Sequence, residues 1–139
     1  MKRVHFLPRH MAEKIHPLPN CGVISLTTPG DPDAVLHSGW AAVLRLAFHD
    51  ADKPEPERIV FSKEMAREIV AFLRANEQLD EVLVHCDLGI SRSAAVALFI
   101  RDTFDVLTYR RGVPVDIRYS QYNRLVYRLL SDAYWRDAD

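Results

Sequence analysis

The chain has 139 residues, of which 48% are hydrophobic and 27% charged, values typical of one globular domain over residues 1–139. The formal net charge of −1 gives no electrostatic reason to expect nucleic acid or an anionic membrane as a partner. No apolar run is long enough to span a bilayer, and no apolar signal segment is expected. Two cysteines, Cys21 and Cys86, are few for a small secreted scaffold, so free thiols in a reducing cytoplasm are expected.

The first part of the chain alternates strand-like and turn-like segments. Residues 4–7 form a short strand candidate, and residues 9–15 are expected to make one or two helical turns before prolines end them. Residues 21–27 and 42–48 have the β-branched and apolar content of strands. The polar segment 49–58 contains two prolines and is therefore predicted to be a loop.

The second part of the chain carries the longer periodic segments. A helix is predicted over residues 62–76, with Ser62 as its N-cap and apolar residues on one face. Residues 82–84 are short, apolar and β-branched, which is typical of a strand buried on both faces. A nearly apolar helix over residues 91–104 and an amphipathic helix over residues 120–134 complete the pattern.

Strands that alternate with helices predict a single α/β domain. Its central sheet should be mostly parallel, with about four or five strands, and flanked by helices. Residues 110–116 are predicted to be a loop. Ser120 is the expected cap of the last helix and Asn123 a structural residue, with positioning of a water or a loop by Gln121 or Asn123 as the alternative.

The turn between the strand at 82–84 and the helix at 91–104 is the most informative segment. In open α/β folds, ligands bind in the crevice beyond the carboxyl ends of the strands, and a helix N-terminus presents unpaired N–H groups. Gly89 supplies the backbone freedom of a tight turn, and the planar fork of Arg92 matches two phosphate oxygens. The predicted phosphate-binding residues are Asp87, Leu88, Gly89, Ile90, Ser91 and Arg92.

Cys86 lies at the base of this turn. The donors that attract a phosphate also stabilise a thiolate, so an anion held there would lie over a nucleophilic sulfur. This placement predicts attack on phosphorus through a thiophosphoryl intermediate, with Arg92 and the amides stabilising the transferring oxygens. Cys21 has no such context and is expected to be structural.

The pattern His85-Cys86-x-x-Gly89-x-x-Arg92-Ser93 resembles the signature loop of the cysteine-dependent protein tyrosine phosphatase superfamily. The resemblance implies that Cys86 is the nucleophile and that Arg92 and the loop amides bind phosphate. It also implies that Ser93 assists the thiolate leaving group and that His85 organises hydrogen bonds around the loop. For Ser93, a backbone contact in the first helical turn is the equal alternative.

The resemblance extends beyond the loop. From residue 42 to residue 104, the predicted order of elements is that of the family. The compact length is similar to the dual-specificity group and to small bacterial or phage tyrosine-phosphatase-like proteins. A tyrosine or dual-specificity phosphatase-like fold is therefore implied. Ser91, at the helix start, is expected to be an N-cap.

Cleavage of a phosphate ester needs an acid that protonates the leaving oxygen. The resemblance implies an aspartate on a loop that precedes the cysteine. Asp50, directly after the strand at 42–48, is the preferred acid and Asp52 the reserve. Proton transfer through His49 is the third choice. The alternative to all three is that both aspartates only solvate a proline-containing loop.

The loop interior contains no lysine or arginine, and Asp87 would repel a second phosphate. The expected partner is therefore a phosphorylated protein or a small phosphomonoester, with phosphotyrosine preferred over phosphoserine and phosphothreonine. Residues 37–40 and 109–111 are candidate rims of the pocket. No nucleic acid, membrane, metal or cofactor is expected, and the oligomeric state stays open.

The sequence leaves two rival functions open. A pseudophosphatase would bind phosphoproteins without turnover and would keep Arg92 but lack a working acid. Different anion chemistry at Cys86, of the rhodanese or arsenate reductase kind, is the second rival. The spacing of the loop favours the phosphatase over both.

Overall fold

The computed structural model describes residues 1–136. Six segments are strands: β1 (Arg3–Pro8), β2 (Cys21–Thr27), β3 (Ala42–Ala47), β4 (Glu81–Cys86), β5 (Leu107–Arg110) and β6 (Val113–Pro114). Four segments are helices: α1 (Arg9–Ala12), α2 (Lys63–Ala75), α3 (Arg92–Phe104) and α4 (Arg124–Trp135). None of the helices within residues 1–136 is long and apolar enough to cross a membrane.

The six strands form one sheet in the order β3-β2-β4-β1-β5-β6. All neighbours run parallel except β5 and β6. The predicted α/β class with a mostly parallel sheet is therefore confirmed, whereas the predicted count of about four or five strands is too low. The prediction of a loop over residues 110–116 is also wrong, because the two-residue strand β6 lies within it and pairs with β5.

The helices α2, α3 and α4 share the main core with the sheet. Val4 and Phe6 of β1, and Val82 and Val84 of β4, are fully buried in it. Helix α2 begins as predicted, with the Ser62 hydroxyl accepting a hydrogen bond from a first-turn N–H group. Its buried face consists of Ala66, Ile69, Val70 and Leu73, at the spacing of one helical stripe.

Helix α3 is buried along its whole first part, from Arg92 to Ile100. It contacts β1 and β4 on one side and α4 on another. A helix that is apolar all round is stable only when it is enclosed in this way. Because α3 follows β4 after five residues and is packed tightly, the connecting turn is held rigidly at the end of β4.

The opposite face of the sheet is covered by a smaller hydrophobic cluster. Leu7, Ala12, Val23 and Leu83 form a second buried cluster there, with Trp40 packed against it. Trp40 therefore covers this face, and none of residues 37–40 lines the cavity at the end of β4.

Candidate active site

The carboxyl ends of three parallel strands meet where the Cys86 loop, residues 86–92, leaves the sheet. β4 ends at Cys86, β2 leads into Thr28, and β3 leads into Phe48. β4 lies next to β2 and β1 within the sheet, so the loop is surrounded by neighbouring elements. This is the edge at which open α/β folds bind ligands.

The peptide groups of the Cys86 loop have a common orientation. Four carbonyl oxygens accept hydrogen bonds from groups outside the loop: Asp87 from Arg9 N (3.4 Å), Gly89 from Arg110 Nε (3.2 Å), Ile90 from the Tyr119 hydroxyl (2.6 Å) and Ser91 from Asn123 N (3.1 Å). These donors come from three separate segments of the chain, since Tyr119 and Asn123 both precede α4. The carbonyl groups therefore point outward, away from the centre of the loop.

In a trans peptide, the N–H group points opposite to the carbonyl group of the preceding residue. The N–H groups of residues 88, 90, 91 and 92 must then point inward. None of these N–H groups donates to an acceptor within the described residues 1–136. Together with the N-terminus of α3, they form a concave cup of hydrogen-bond donors, which is an anion-binding geometry.

Gly89 allows the loop to lie against β1. Its φ angle is +67°, and a Cβ atom at this position would overlap the backbone of Leu7 and Pro8. Only glycine combines a left-handed backbone with so close an approach. The glycine of the sequence pattern is therefore required by the contact with β1 as well as by the turn.

Cys86 lies at the bottom of the cup and is 2% exposed. Its Sγ atom is 3.1 Å from the hydroxyl oxygen of Ser93, which is itself fully buried. A cavity of about 120 Å³, the Cys86 cavity, opens above the sulfur; its lining residues are Asp50, Cys86, Leu88, Ile90, Ser91 and Arg92. The cavity therefore connects the sulfur to the cup.

Arg92 is 5% exposed, and three hydrogen bonds hold its guanidinium group. Nη1 donates to Phe48 O (2.7 Å) and to the Thr28 hydroxyl (3.1 Å), and Nη2 donates to Asp87 Oδ2 (3.0 Å). A guanidinium group has five N–H donors, so Nε–H and the second Nη2–H are left. These two lie on one edge of the plane and match two oxygens of a phosphate.

The site therefore combines a thiol, inward amides and a guanidinium edge around one cavity. No protein-family model and no curated protein matches the chain. The contacts of the side chains are therefore the basis for assigning a function to this site. No group of three or more metal-ligating side chains within residues 1–136 has the arrangement of a metal site.

Of the two candidate acids, Asp50 is the one placed at the Cys86 cavity. Its Oδ1 atom accepts hydrogen bonds from the Ser91 hydroxyl (2.8 Å) and from Asn123 Nδ2 (2.9 Å). Asp52 is exposed and lines a neighbouring cavity instead. His49 accepts a hydrogen bond from Ile59 N through Nδ1 (3.0 Å), which braces the loop that carries both aspartates.

Asn123 joins three parts of the site. It is 5% exposed, and its Nδ2 atom also donates to Ala51 O (3.1 Å), while its Oδ1 atom accepts from Val126 N (3.0 Å). This last bond caps α4, so the expectation that Ser120 caps the helix is wrong. Positioning of the acid loop by Asn123, the less favoured sequence hypothesis, is the one that these contacts support.

The expectation that Ser91 caps α3 with its side chain is also wrong. Ser91 occupies the residue before the helix, but its side chain makes no capping hydrogen bond. The hydroxyl donates to Asp50 instead. As a result, the first-turn N–H groups of α3 remain directed at the cup, where an anion can accept from them.

His85 is fully buried beneath the loop, and its Nε2 atom is 2.6 Å from the Ser25 hydroxyl. Burial lowers the pKa of His85 from 6.5 to about 4. The imidazole is therefore neutral at neutral pH. Any support that it gives to a thiolate comes from its dipole and its hydrogen bond with Ser25, since it carries no charge there.

The buried imidazole makes stability depend on pH. Between about pH 6.5 and 4, the unfolded chain binds a proton at His85 that the folded chain excludes. We expect the free energy of unfolding to fall by up to about 3 kcal/mol as the pH decreases through this window. Urea unfolding at pH 7.5 and pH 4.5 measures the difference. His85→Gln cannot titrate, so a loss of the same size in that variant would contradict the assignment.

Four contributors to the site were not identified as such from the sequence. Thr28, Tyr119 and Arg110 hold the Cys86 loop or Arg92 from outside, and Phe48 does so through its backbone carbonyl. Only Arg110 carried a signal, as part of the predicted rim at residues 109–111. Threonine and tyrosine hydroxyls at strand ends and in loops are too common to mark a site.

Proposed function

We propose that the chain is a cysteine-dependent phosphatase that hydrolyses phosphomonoesters on phosphoproteins in the cytoplasm. Its fold is proposed to be that of the tyrosine and dual-specificity phosphatases. The observation that carries the proposal is the cup of inward N–H groups closed by Arg92, with the Cys86 sulfur at its base. A phosphoryl group bound there has its phosphorus directly above the nucleophile.

In the first step, the Cys86 thiolate forms a bond to phosphorus as the ester P–O bond breaks. The bonding electrons go to the leaving oxygen, which takes a proton from Asp50. Both hydrogen bonds to Asp50 reach Oδ1, so the acid carries its proton on Oδ2. The amides and Arg92 stabilise the equatorial oxygens throughout the transfer.

In the second step, water attacks the phosphocysteine and gives a proton to the Asp50 carboxylate. The S–P bond breaks, and the electron pair returns to sulfur. Ser93 supports this step because its hydroxyl lies 3.1 Å from Sγ and can donate to the developing thiolate. The products are inorganic phosphate and the starting enzyme.

The preferred substrate is a monoester, with phosphotyrosine ahead of phosphoserine and phosphothreonine. Asp87 is the only charged side chain of the loop besides Arg92. Burial alone would raise the pKa of Asp87, but hydrogen bonds from Thr28 and Arg92 outweigh it and hold the pKa below its usual value. Its negative charge disfavours a second phosphate.

Turnover of 4-nitrophenyl phosphate and of phosphotyrosine peptides by the full chain tests the proposal. We expect hydrolysis of both, and we expect it to persist in EDTA because no step uses a metal. Binding of tungstate without turnover would support the pseudophosphatase alternative instead. Loss of activity in EDTA that an added metal restores would contradict the mechanism.

Asp50→Asn keeps the oxygen that accepts from Ser91 and Asn123 but cannot deliver a proton. We expect it to lower kcat/KM, which reports the first step alone, for a phosphotyrosine peptide by about a hundred-fold. The loss should be much smaller for 4-nitrophenyl phosphate, because 4-nitrophenolate leaves without protonation. Steady-state rates with the two substrates measure this dependence on the leaving group.

Asp52→Asn is the matched control, since it changes the same functional group two residues away. It should lower neither rate appreciably, because Asp52 lines the neighbouring cavity. The reverse result, with the leaving-group dependence in Asp52→Asn alone, would assign the acid to Asp52.

A further inference from the structure

Three side chains beside the cup form a closed ring of hydrogen bonds. Asp87 Oδ2 accepts from the Thr28 hydroxyl (2.5 Å) and from Arg92 Nη2 (3.0 Å), and Thr28 Oγ1 accepts from Arg92 Nη1 (3.1 Å). Thr28 has a single hydroxyl proton, which it gives to Asp87. Its oxygen is therefore left as an acceptor for Arg92, and the direction of every bond in the ring is determined.

The ring occupies one edge of the guanidinium group. Nη1 and one N–H of Nη2 bond to Thr28 and Asp87, and Phe48 O takes the other N–H of Nη1. The adjacent edge, formed by Nε–H and the second Nη2–H, is left for an oxyanion. Because the group is planar, fixing one edge fixes the direction of the other.

Asp87 also changes the charge of the cup. The ion pair with Arg92 offsets part of the positive charge that would attract an anion. A carboxylate in this place weakens anion binding by its charge and strengthens it only by orienting Arg92. The two effects have opposite signs, so substitutions can separate them.

We propose that the Asp87 carboxylate and the Thr28 hydroxyl are positioning groups that hold the anion-binding edge of Arg92 toward the cup. Neither side chain is required to touch the substrate. Only the catalytic consequence of this inference rests on the proposed phosphatase function. The orientation of Arg92 toward an oxyanion does not depend on turnover.

The test uses tungstate, a tetrahedral oxyanion, in calorimetric titrations of the full chain, together with kcat and KM for 4-nitrophenyl phosphate. Asp87→Ala and Thr28→Val should each weaken tungstate binding about ten-fold or more, because each removes a hydrogen bond that orients a charged group. The double variant should be little worse than either single variant, since both break one ring. Thr28→Ser, which keeps the hydroxyl, should bind tungstate as the wild type does.

Asp87→Asn separates position from charge. It retains an oxygen that accepts from Arg92 and Thr28, so its tungstate affinity should equal or exceed that of the wild type. Asp80→Asn is the matched control, because Asp80 lies at the far end of β4 and pairs with Lys2. It should change neither binding nor turnover.

The outcomes are distinct. Wild-type affinity in folded Asp87→Ala and Thr28→Val would overturn the proposal. If those two variants fail to fold, weaker tungstate binding in Asp87→Asn or in Thr28→Ser would overturn it as well, because both variants keep the hydrogen bonds of the ring. A wild-type chain that binds tungstate with the expected dependence on Asp87 but hydrolyses no phosphate ester would refute the phosphatase function and leave this inference standing.

Discussion

Cys86→Ser should lower the hydrolysis of 4-nitrophenyl phosphate by about a thousand-fold or more while leaving the fold intact. The serine hydroxyl is un-ionised at neutral pH and cannot replace a thiolate as the nucleophile. The substitution is nearly isosteric at a site that is 2% exposed, and Ser93 remains as a hydrogen-bond partner. The cup is made of backbone groups and Arg92, so tungstate binding should change by no more than about three-fold.

Cys21→Ser is the control for this prediction. Cys21 begins β2, at the opposite end of the sheet from the cup, and burial raises the pKa of its thiol, with the nearby Glu81 carboxylate adding to the effect. We expect wild-type turnover in this variant. Acid quenching during turnover, followed by mass spectrometry, should locate the phosphoryl group on Cys86 alone. Undiminished turnover in Cys86→Ser, or phosphorylation elsewhere, would refute the covalent mechanism.

The strands and helices that were predicted correctly are those with strong local patterns. Ser62 followed by an apolar stripe determines α2, and the β-branched run of β4 is buried as expected. β5 and β6 have four and two residues, which is too short for a periodic pattern. β5 pairs with β1, which is distant in the chain, and β6 pairs with β5, so β6 depends on the placement of β5 in the sheet.

The start of α4 is likewise not determined by the local sequence. Ser120 and Asn123 are both good capping residues, and the sequence does not distinguish them. Hydrogen bonds to Asp50, Ala51 and Ser91 hold Asn123 in place, and they exist only in the folded chain. The helix therefore begins after Asn123 for reasons that lie in the site.

Some residues of the candidate site could be predicted from the sequence, and others are brought to the site only by the fold. Cys86, Gly89 and Arg92 were identified because they occur within one short turn of the sequence. Thr28 and Tyr119 come from segments far apart in the chain, and the parallel sheet brings them to one edge. The preference for Asp50 over Asp52 followed from its place at the end of a strand, and the structure puts Asp50 at the cavity.

Gly89→Ala should destabilise the chain by at least about 3 kcal/mol and abolish tungstate binding. The substitution combines an unfavourable φ of +67° with overlap between the new Cβ atom and the backbone of Leu7 and Pro8. Relief requires the loop to move away from β1, which would turn the inward N–H groups out of line. Thermal unfolding should show a decrease in Tm of about 10 °C, measured beside calorimetric titration with tungstate.

Gly112→Ala isolates the contact with β1 from the backbone strain. Gly112 has a φ of +83°, but a Cβ atom there would meet no atom within 4 Å. The control should therefore lose only the smaller conformational contribution, about 1 kcal/mol, and should bind tungstate as the wild type does. The difference between the two variants measures how far packing against Leu7 and Pro8 shapes the cup. If Gly89→Ala matched Gly112→Ala in both stability and tungstate affinity, the cup would not depend on this packing, and the geometric basis of the proposed phosphate site would be lost.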